Sequence, residues 1–477
     1  MNKLALTSLL LFGLMTCMSA GATSANPQPP NVLFVAFDDL RPLIGAYGEA
    51  EPITPNLDAL AQDAMRFDRA YVSYPLCNPS RASMLTGIRF DLQESPRREN
   101  KHPKLIAKQD TWPRVLKQHG YWTATRGKLY HGSVPGGDKS AWHIAGDFWG
   151  EVRDGGPTIL PKIVEMGGRA DQIADYKKRG AGPGALMYAA VDGPDTLLND
   201  GKVAVDVIEF LKHKRDKSKP FMIAAGFSRP HMPWVAPKKY FDLYPDDAGK
   251  LADFPEGAKD AFDMATYKSK TRDHGWNEGV DDATAKKLIR GYMASTSFAD
   301  AQMGKIIQTL KDEGLYENTI IVAWGDHGYH LTDQGLWRKN TPFHISLRSP
   351  LLIKAPGFQG GTVSSQVVQN IDLYPTLLEL AGIGQPEHLK LHGNSLVPLL
   401  RGETAQWNSM AFTSAKGHYG VITEKYRYTK MSDGSRRLYD LEADPGEWQN
   451  LSGDKQFSNL MDQFDAHLHQ AVWNKPE

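Results

Sequence analysis

Val32-Leu33-Phe34-Val35-Ala36-Phe37-Asp38-Asp39 follows a Pro-rich spacer and decides how the rest of the chain is read. Six consecutive apolar residues with β-branched members have the length and character of a strand buried on both faces, as in a parallel sheet. Two carboxylates close the run. Open α/β sheets place ligands at the carboxyl ends of their strands, whereas an Asp pair without partners is an ordinary solvated turn. Later runs repeat the pattern. Tyr121-Trp122-Thr123-Ala124-Thr125 leads into Arg126-Gly127-Lys128-Leu129-Tyr130-His131, and Phe221-Met222-Ile223-Ala224-Ala225-Gly226-Phe227 leads into Ser228-Arg229-Pro230-His231. Asn318-Thr319-Ile320-Ile321-Val322-Ala323-Trp324 ends in Gly325-Asp326-His327-Gly328, and Pro350-Leu351-Leu352-Ile353-Lys354 is a further strand. Helical patterns at 54–67 (Thr54 as cap), 111–119, 201–212, 286–310 and 372–382 alternate with these runs. The fold class is therefore α/β, a large mainly parallel sheet flanked by helices, and the polar strand ends converge on one edge.

The edge receives a second element from Cys77-Asn78-Pro79-Ser80-Arg81-Ala82-Ser83-Met84-Leu85-Thr86-Gly87. Asn78 suits a cap, Pro79 suits a first helical turn, and Gly87 suits a helix end. Cys77 and Arg81, four residues apart, can face one point, where free N–H groups and a guanidinium form an anion pocket. A buried helix-start cysteine is the plainer alternative. Residues 132–200, rich in Gly, Pro and Trp, read as long loops over the site edge. From about Met410 the pattern changes to short strands at 410–414, 419–428 and 437–441 and a helix at 454–473. This predicts a small C-terminal α+β subdomain with an antiparallel sheet. The division is 1–25, 26–398 and 399–477: a signal peptide, the catalytic domain and that subdomain.

Lys3, the apolar run from Leu4 to Met18 and the small residues Ala20, Ala22 and Ala25 read as a secretory signal peptide, hence a periplasmic or secreted protein. The run is too short for a membrane span. Thr16 and Met18 fit poorly around a lipoprotein cysteine at Cys17. Cleavage would leave Cys77 as the only cysteine, unable to form an internal disulfide. The chain has 477 residues, with Lys+Arg and Asp+Glu both at 55, a balance that points away from nucleic acid.

The run from Cys77 to Gly87 resembles the signature of the type I sulfatases, Cys-x-Pro-Ser-Arg followed by Leu-Thr-Gly. The resemblance extends to the closing phrase Leu438-Tyr439-Asp440-Leu441-Glu442-Ala443-Asp444-Pro445-Gly446-Glu447. Within that family Asp38-Asp39, Gly127-Lys128-Leu129-Tyr130-His131, Pro230-His231-Met232-Pro233 and Asp326-His327-Gly328 with Trp337 and Lys339 look most like the iduronate-2-sulfatases. The resemblance implies an alkaline phosphatase-like sheet and a Cys77 oxidised to formylglycine by a formylglycine-generating enzyme. It further implies one calcium ion held by Asp38, Asp39, Asp326, His327 and residue 77, although His327 could instead orient the site. Arg81 would hold the formylglycine hydrate, and Lys128 and Lys339 the sulfate oxygens. His231 would act as general acid and His131 as general base, an assignment that spacing does not decide. The implied substrate is a sulfated oligosaccharide or polysaccharide, attacked at a terminal 2-O-sulfated uronic acid, with other algal polysaccharide sulfates as competitors. Trp142 and Trp149 are expected to close around one sugar, and Trp337 either stacks on it or lies in the core. Three other readings compete: a phosphatase or phosphonate hydrolase of the alkaline phosphatase superfamily, an inactive secreted glycan-binding protein, and a cysteine hydrolase using Cys77.

Overall fold

The structure, a computed structural model, describes residues 29–89, 110–146, 186–258 and 279–473. The signal peptide read at 1–25, and Trp149 with much of the expected loop region, lie outside the described residues.

The apolar runs form strands. β1 (Asn31–Asp38) is buried along its whole length. It is followed by β2 (Met65–Tyr71), β3 (Trp122–Gly127), β4 (Ile144–Ala145), β5 (Tyr188–Val191), β6 (Phe221–Pro230), β7 (Trp234–Pro237) and β8 (Thr319–Gly325). Then come β9 (His330–Leu331), β10 (Trp337–Arg338), β11 (Leu351–Lys354) and β12 (Thr362–Gln369), and, near the C-terminus, β13 (Ala411–Ala415), β14 (His418–Ile422), β15 (Tyr426–Lys430) and β16 (Arg436–Asp440). The main sheet has eight strands in the order β12-β2-β11-β8-β1-β6-β3-β4. β1 lies between β8 and β6, parallel to both. Only β11 runs against the others, pairing antiparallel with β8 and β2.

Helices cover both faces, and β1 shows why. Val32, Phe34 and Ala36 point to a layer built with Met84 and Leu85 of α2 (Cys77–Thr86), Trp112 and Leu116 of α3 (Trp112–Gln118) and Leu377 of a later helix. Leu33, Val35 and Phe37 point the other way, to Leu57 and Leu60 of α1 (Pro55–Asp63), Val203 and Val207 of α4 (Asn199–Glu209), and Ile306 and Leu310 of α5 (Asp282–Asp312). The period-two alternation of a strand thus fills two cores at once. Each fully buried Val, Leu or Phe contributes about 1.5–3 kcal/mol, so a polar residue at Phe34 would unseat the central strand. The C-terminal strands β13 to β16 pair antiparallel in sequence order. Val421, Tyr428 and Leu438 pack there under Met461, Phe464 and Leu468 of the final α-helix, Ser458–Leu468. The expected α/β sheet and small antiparallel sheet are both present.

Several local expectations are corrected. The helix from Thr54 stops at Asp63, and Met65 to Tyr71 is a strand whose buried Met65 and Phe67 alternate with half-exposed Arg66 and Asp68. Thr54 does not cap that helix. Its hydroxyl donates to Asp58 Oδ1 at 3.1 Å and accepts from Gly45 N at 3.0 Å. Asn78 lies inside α2 rather than capping it, because Leu76 is the residue in extended conformation before the first turn. The expected single strand at 419–428 is two strands, turned back at Thr423. β12 was not anticipated, since five of the eight residues of Thr362–Gln369 are polar.

Candidate active site

β1, β3, β6 and β8 deliver their carboxyl ends to one edge. The pairing of β1 with β6 shifts register between Phe37 and Asp38, and Asp39 takes a left-handed backbone, φ 65°. A bulge of this kind re-aims side chains. Asp39 is fixed at both backbone groups: its N–H donates to Asp326 Oδ1 at 3.0 Å, and its carbonyl accepts from Tyr292 Oη on α5 at 3.0 Å. Beside it, the exit of β3 passes so close to β6 that a Cβ on Gly226 would lie 2.1 Å from the Lys128 carbonyl carbon. Glycine there lets the Lys128 backbone donate to Gly226 O at 2.7 Å.

Cys77, the first residue of α2, enters this edge from the side. Its Sγ lies 3.4 Å from His327 Nε2, 3.5 Å from Lys339 Nζ and 3.9 Å from Asp39 Oδ1. Asp38, Asp39, Cys77 and His327 are all buried and offer ligand atoms within 4.8 Å of one another. Asp326 stands against this group, its Oδ2 accepting from Arg81 Nε at 2.8 Å. Arg81 also donates to the Lys128 and Leu129 carbonyls, tying α2 to the exit of β3. Lys128 pairs with Asp38, and Lys339 with Asp39. His231 Nδ1 donates to the Met232 carbonyl at 2.6 Å, which turns Nε2 toward Asp39 Oδ2, 3.9 Å away. His131 follows the exit of β3 on the exposed side of the site.

Electrostatics follow from burial. Burial alone would raise Asp38, but Lys128, with His231, Arg81 and Lys339, holds it well below the ordinary carboxylate value. Asp39 is pushed up to about 7 by burial, against the pull of Lys339. Burial opposes charge on His327, yet Asp326 and Cys77 together outweigh it and raise the imidazole to about 9. Burial, aided by Lys339 and Lys128, drives His231 well below the usual imidazole value. Partial burial and then Lys128 lower His131 to about 4.

The group fits a metal site, with the two carboxylates as its hard donors. Among the described residues no hydrogen-bond donor reaches buried Asp38 Oδ1 or Asp39 Oδ2, the Arg81 guanidinium standing 3.5 Å from the former, a costly state for carboxylates that a cation would relieve. The predicted residues Asp38, Asp39, Cys77, Arg81, Lys128, His231, Asp326, His327 and Lys339 all meet at this edge.

One expectation about the pocket wall is corrected, and one open choice is decided. Trp142 is a core residue, its Nε1 donating to Tyr130 Oη at 3.0 Å. Trp337 takes the core alternative, buried against Trp234 at a ring separation of 6.1 Å. Sequence reading also missed the supports. Asn370, at the end of β12, accepts from Ser73 N at 3.1 Å and donates to Ser80 O at 2.9 Å, holding the approach and first turn of α2. Its only signal was a polar residue before a helix.

Comparison with known proteins agrees with this geometry. The family profile described as Sulfatase matches residues 30–383, and that of the N-sulphoglucosamine sulphohydrolase C-terminal region matches 332–474. A sulfatase of Formosa agariphila is 30% identical over 98% of this chain and 92% of its own length. Human iduronate 2-sulfatase is 26% identical over 95% of this chain and 97% of its own. The crystal structure of the phosphonate monoester hydrolase of Agrobacterium radiobacter superposes with a TM-score of 0.70 at 22% identity, covering 93% of this chain and 95% of that one, which speaks for the fold alone. With the family profile spanning most of the chain and the buried Asp/Asp/Cys/His group at its strand ends, this chain belongs to the sulfatase family of sulfate-ester hydrolases.

Proposed function

We propose that this sulfatase removes sulfate from the terminal residue of a sulfated polysaccharide, with a 2-O-sulfated uronic acid as the leading substrate and other algal polysaccharide sulfates as competitors. The carrying observation is Cys77 at the head of α2, within 3.4–3.9 Å of His327, Lys339 and Asp39. A nucleophile position flanked by a cation site and an ammonium suits an anionic tetrahedral ester. The likeness to human iduronate 2-sulfatase supports the uronate choice. Residue 77 acts as formylglycine, made by a formylglycine-generating enzyme. The N-terminal apolar run supports a periplasmic or secreted location.

Asp38, Asp39, His327 in its neutral form and residue 77, with Asp326 beside them, would hold one calcium ion, which would supply Lewis acidity toward a sulfate oxygen. Lys128 and Lys339 hold the remaining sulfate oxygens, and Arg81 keeps residue 77 aligned through Asp326. One hydroxyl of the residue-77 hydrate attacks sulfur, its proton passing to the Asp39 carboxylate beside it, as the bond from sulfur to the sugar oxygen breaks, and His231 Nε2 gives that oxygen a proton. The arriving sulfate charge favours protonated His231, offsetting the burial that otherwise keeps it neutral. His131 then takes the proton of the second hydroxyl, sulfate leaves with its bonding pair, and the aldehyde re-forms and adds water.

The test joins two measurements: the mass of the tryptic peptide spanning residue 77, and turnover of defined oligosaccharides sulfated at terminal or internal positions. Formylglycine and release confined to terminal 2-O-sulfated uronates are expected. Unmodified cysteine in fully active protein refutes the mechanism, release from internal sites refutes terminal action, and activity confined to neutral sugar sulfates refutes the uronate. Faster turnover of phosphonate monoesters would favour the phosphonate hydrolase reading.

A further inference from the structure

Lys339 is carried by a hairpin, β9 and β10, that pairs over only two residues on each side. Its backbone is strained: Thr332 (φ 77°), Gln334 (φ 51°), Arg338 (φ 76°) and Asn340 (φ 70°) are all left-handed without being glycine. Two of them flank Lys339 directly. Such conformations persist only where the surroundings over-determine them. One restraint comes from the site itself, where Asn340 N donates to Pro75 O at 3.1 Å, just before Cys77.

Other restraints come from the C-terminal unit, and they bracket Lys339. Five residues before it, Gln334 Nε2 donates to Gly446 O at 2.7 Å. Five residues after it, His344 N donates to Glu447 Oε2 at 2.8 Å. Glu447 is 1% exposed, and its other oxygen accepts from Arg427 Nε on β15. The Arg427 guanidinium stands 5.3 Å from the ring of Phe343, the neighbour of His344, and Phe343 also packs with Met431. An ion pair built only to stabilise the small sheet would not hand one carboxylate oxygen to the backbone of the short helix His344–Leu347 that follows the active-site hairpin.

We propose that Glu447 is a positioning residue for the sulfatase reaction: Gly446 holds the strained hairpin before Lys339 through Gln334, Glu447 holds the chain after it at His344, and between these two anchors the Lys339 ammonium is kept in place for the sulfate. The inference rests on Lys339 being a sulfate-holding cation. It makes the phrase 444–447 part of the machinery that aims the site, although none of its atoms meets substrate.

The test uses the full-length protein, inorganic sulfate as probe, and temperatures well below each variant's Tm. Glu447→Ala is expected to weaken sulfate binding and lower kcat/KM by about ten- to a hundredfold, the scale of a displaced reactive group. Glu447→Gln, which keeps an acceptor for His344 N, recovers part of that loss. Gln334→Asn tolerates the left-handed backbone but falls short of Gly446 O, so it shifts sulfate affinity the same way by less. In a Lys339→Ala background, Glu447→Ala should weaken sulfate no further. Unchanged sulfate affinity and turnover in folded Glu447→Ala overturns the proposal, as does an equal loss in the Lys339→Ala background. Should Glu447→Ala fail to fold, Gln334→Asn decides by the same readout, unchanged affinity again overturning it. Unchanged affinity in Lys339→Ala alone overturns the assignment of Lys339 instead, so the two failures are distinguishable.

Discussion

The Lys339 ammonium stands 3.5 Å from Cys77 Sγ while gripping the Asp39 carboxylate, so one cation spans the nucleophile position and the cation site. Burial would discharge it, but Asp39, Cys77 and Asp38 together outweigh burial and hold its pKa well above the ordinary lysine value. It therefore stays charged across the working pH range.

Removing that charge is expected to cost transition-state stabilisation whatever the leaving group. Lys339→Ala should lower kcat/KM by about 10²- to 10³-fold, the scale of a lost preorganised donor. Lys339→Arg should recover little, because a planar fork cannot replace a compact ammonium in a buried slot. Steady-state kinetics on a sugar sulfate and an aryl sulfate should show similar losses; a loss on one alone would move Lys339 from the sulfate to the sugar.

His231 should behave in the opposite way. If Nε2 protonates the departing oxygen, His231→Ala will slow sugar sulfates by about 10²- to 10⁴-fold and an activated aryl sulfate far less. The leaving-group dependence of kcat/KM measures this directly. Equal damage to both substrate classes would mean that His231 only binds sulfate.

Chelation should abolish turnover reversibly, and calcium should restore it and raise the Tm, because a ligand bound only by the folded state stabilises it. Asp38→Asn and Asp39→Asn are expected to lose calcium binding by isothermal titration while remaining folded. Activity that survives exhaustive chelation in protein shown by mass spectrometry to be metal-free would remove the cation from the reaction.

Acid should destabilise the fold through buried neutral histidines outside the site. His330 is fully buried, with Nε2 at 2.8 Å from Thr341 Oγ1, and burial lowers its pKa from 6.5 to about 4. The unfolded chain takes up this proton near pH 6.5 and the folded chain only near 4. Stability is therefore full above about pH 6.5 and declines as pH falls through that window, by about 3 kcal/mol from this residue. His344, lowered by burial and then by Arg348, works in the same direction. Denaturant titrations at several pH values should show a shallower decline for His330→Gln; an unchanged slope would acquit His330.

The sheet and its edge were legible because parallel strands announce themselves as short apolar runs, and polar residues at the ends of β1, β3, β6 and β8 needed only the parallel rule to be brought together. β2 and β12 were harder, since Arg66, Asp68, Ser364 and Gln366 interrupt them and their pairing partners lie hundreds of residues away. Aromatic residues misled for a related reason. Trp142 looks the same in sequence whether it faces a sugar or Tyr130, and only packing distinguishes the two. The supporting residues Tyr292 and Asn370 carry no local signature, and Glu447 belongs to a recognisable phrase that does not tell its role, because what each does is defined by a backbone group that the fold brings from elsewhere.

The central place of β1 also governs assembly over time. Asn31 meets its hydrogen-bond partners Phe221 and Asn318 across 190 and 287 residues of intervening chain. At translation speeds of about 5–20 residues per second, the most apolar strand waits roughly ten seconds to a minute before both neighbours exist. Long-range parallel pairing is slow in itself, since loop closure precedes any reward. Through that interval Val32-Leu33-Phe34-Val35-Ala36-Phe37 is an uncovered β-prone segment. Shielding this hexapeptide, or retarding its early self-association, should therefore raise the yield of folded protein more than a gain in final stability would.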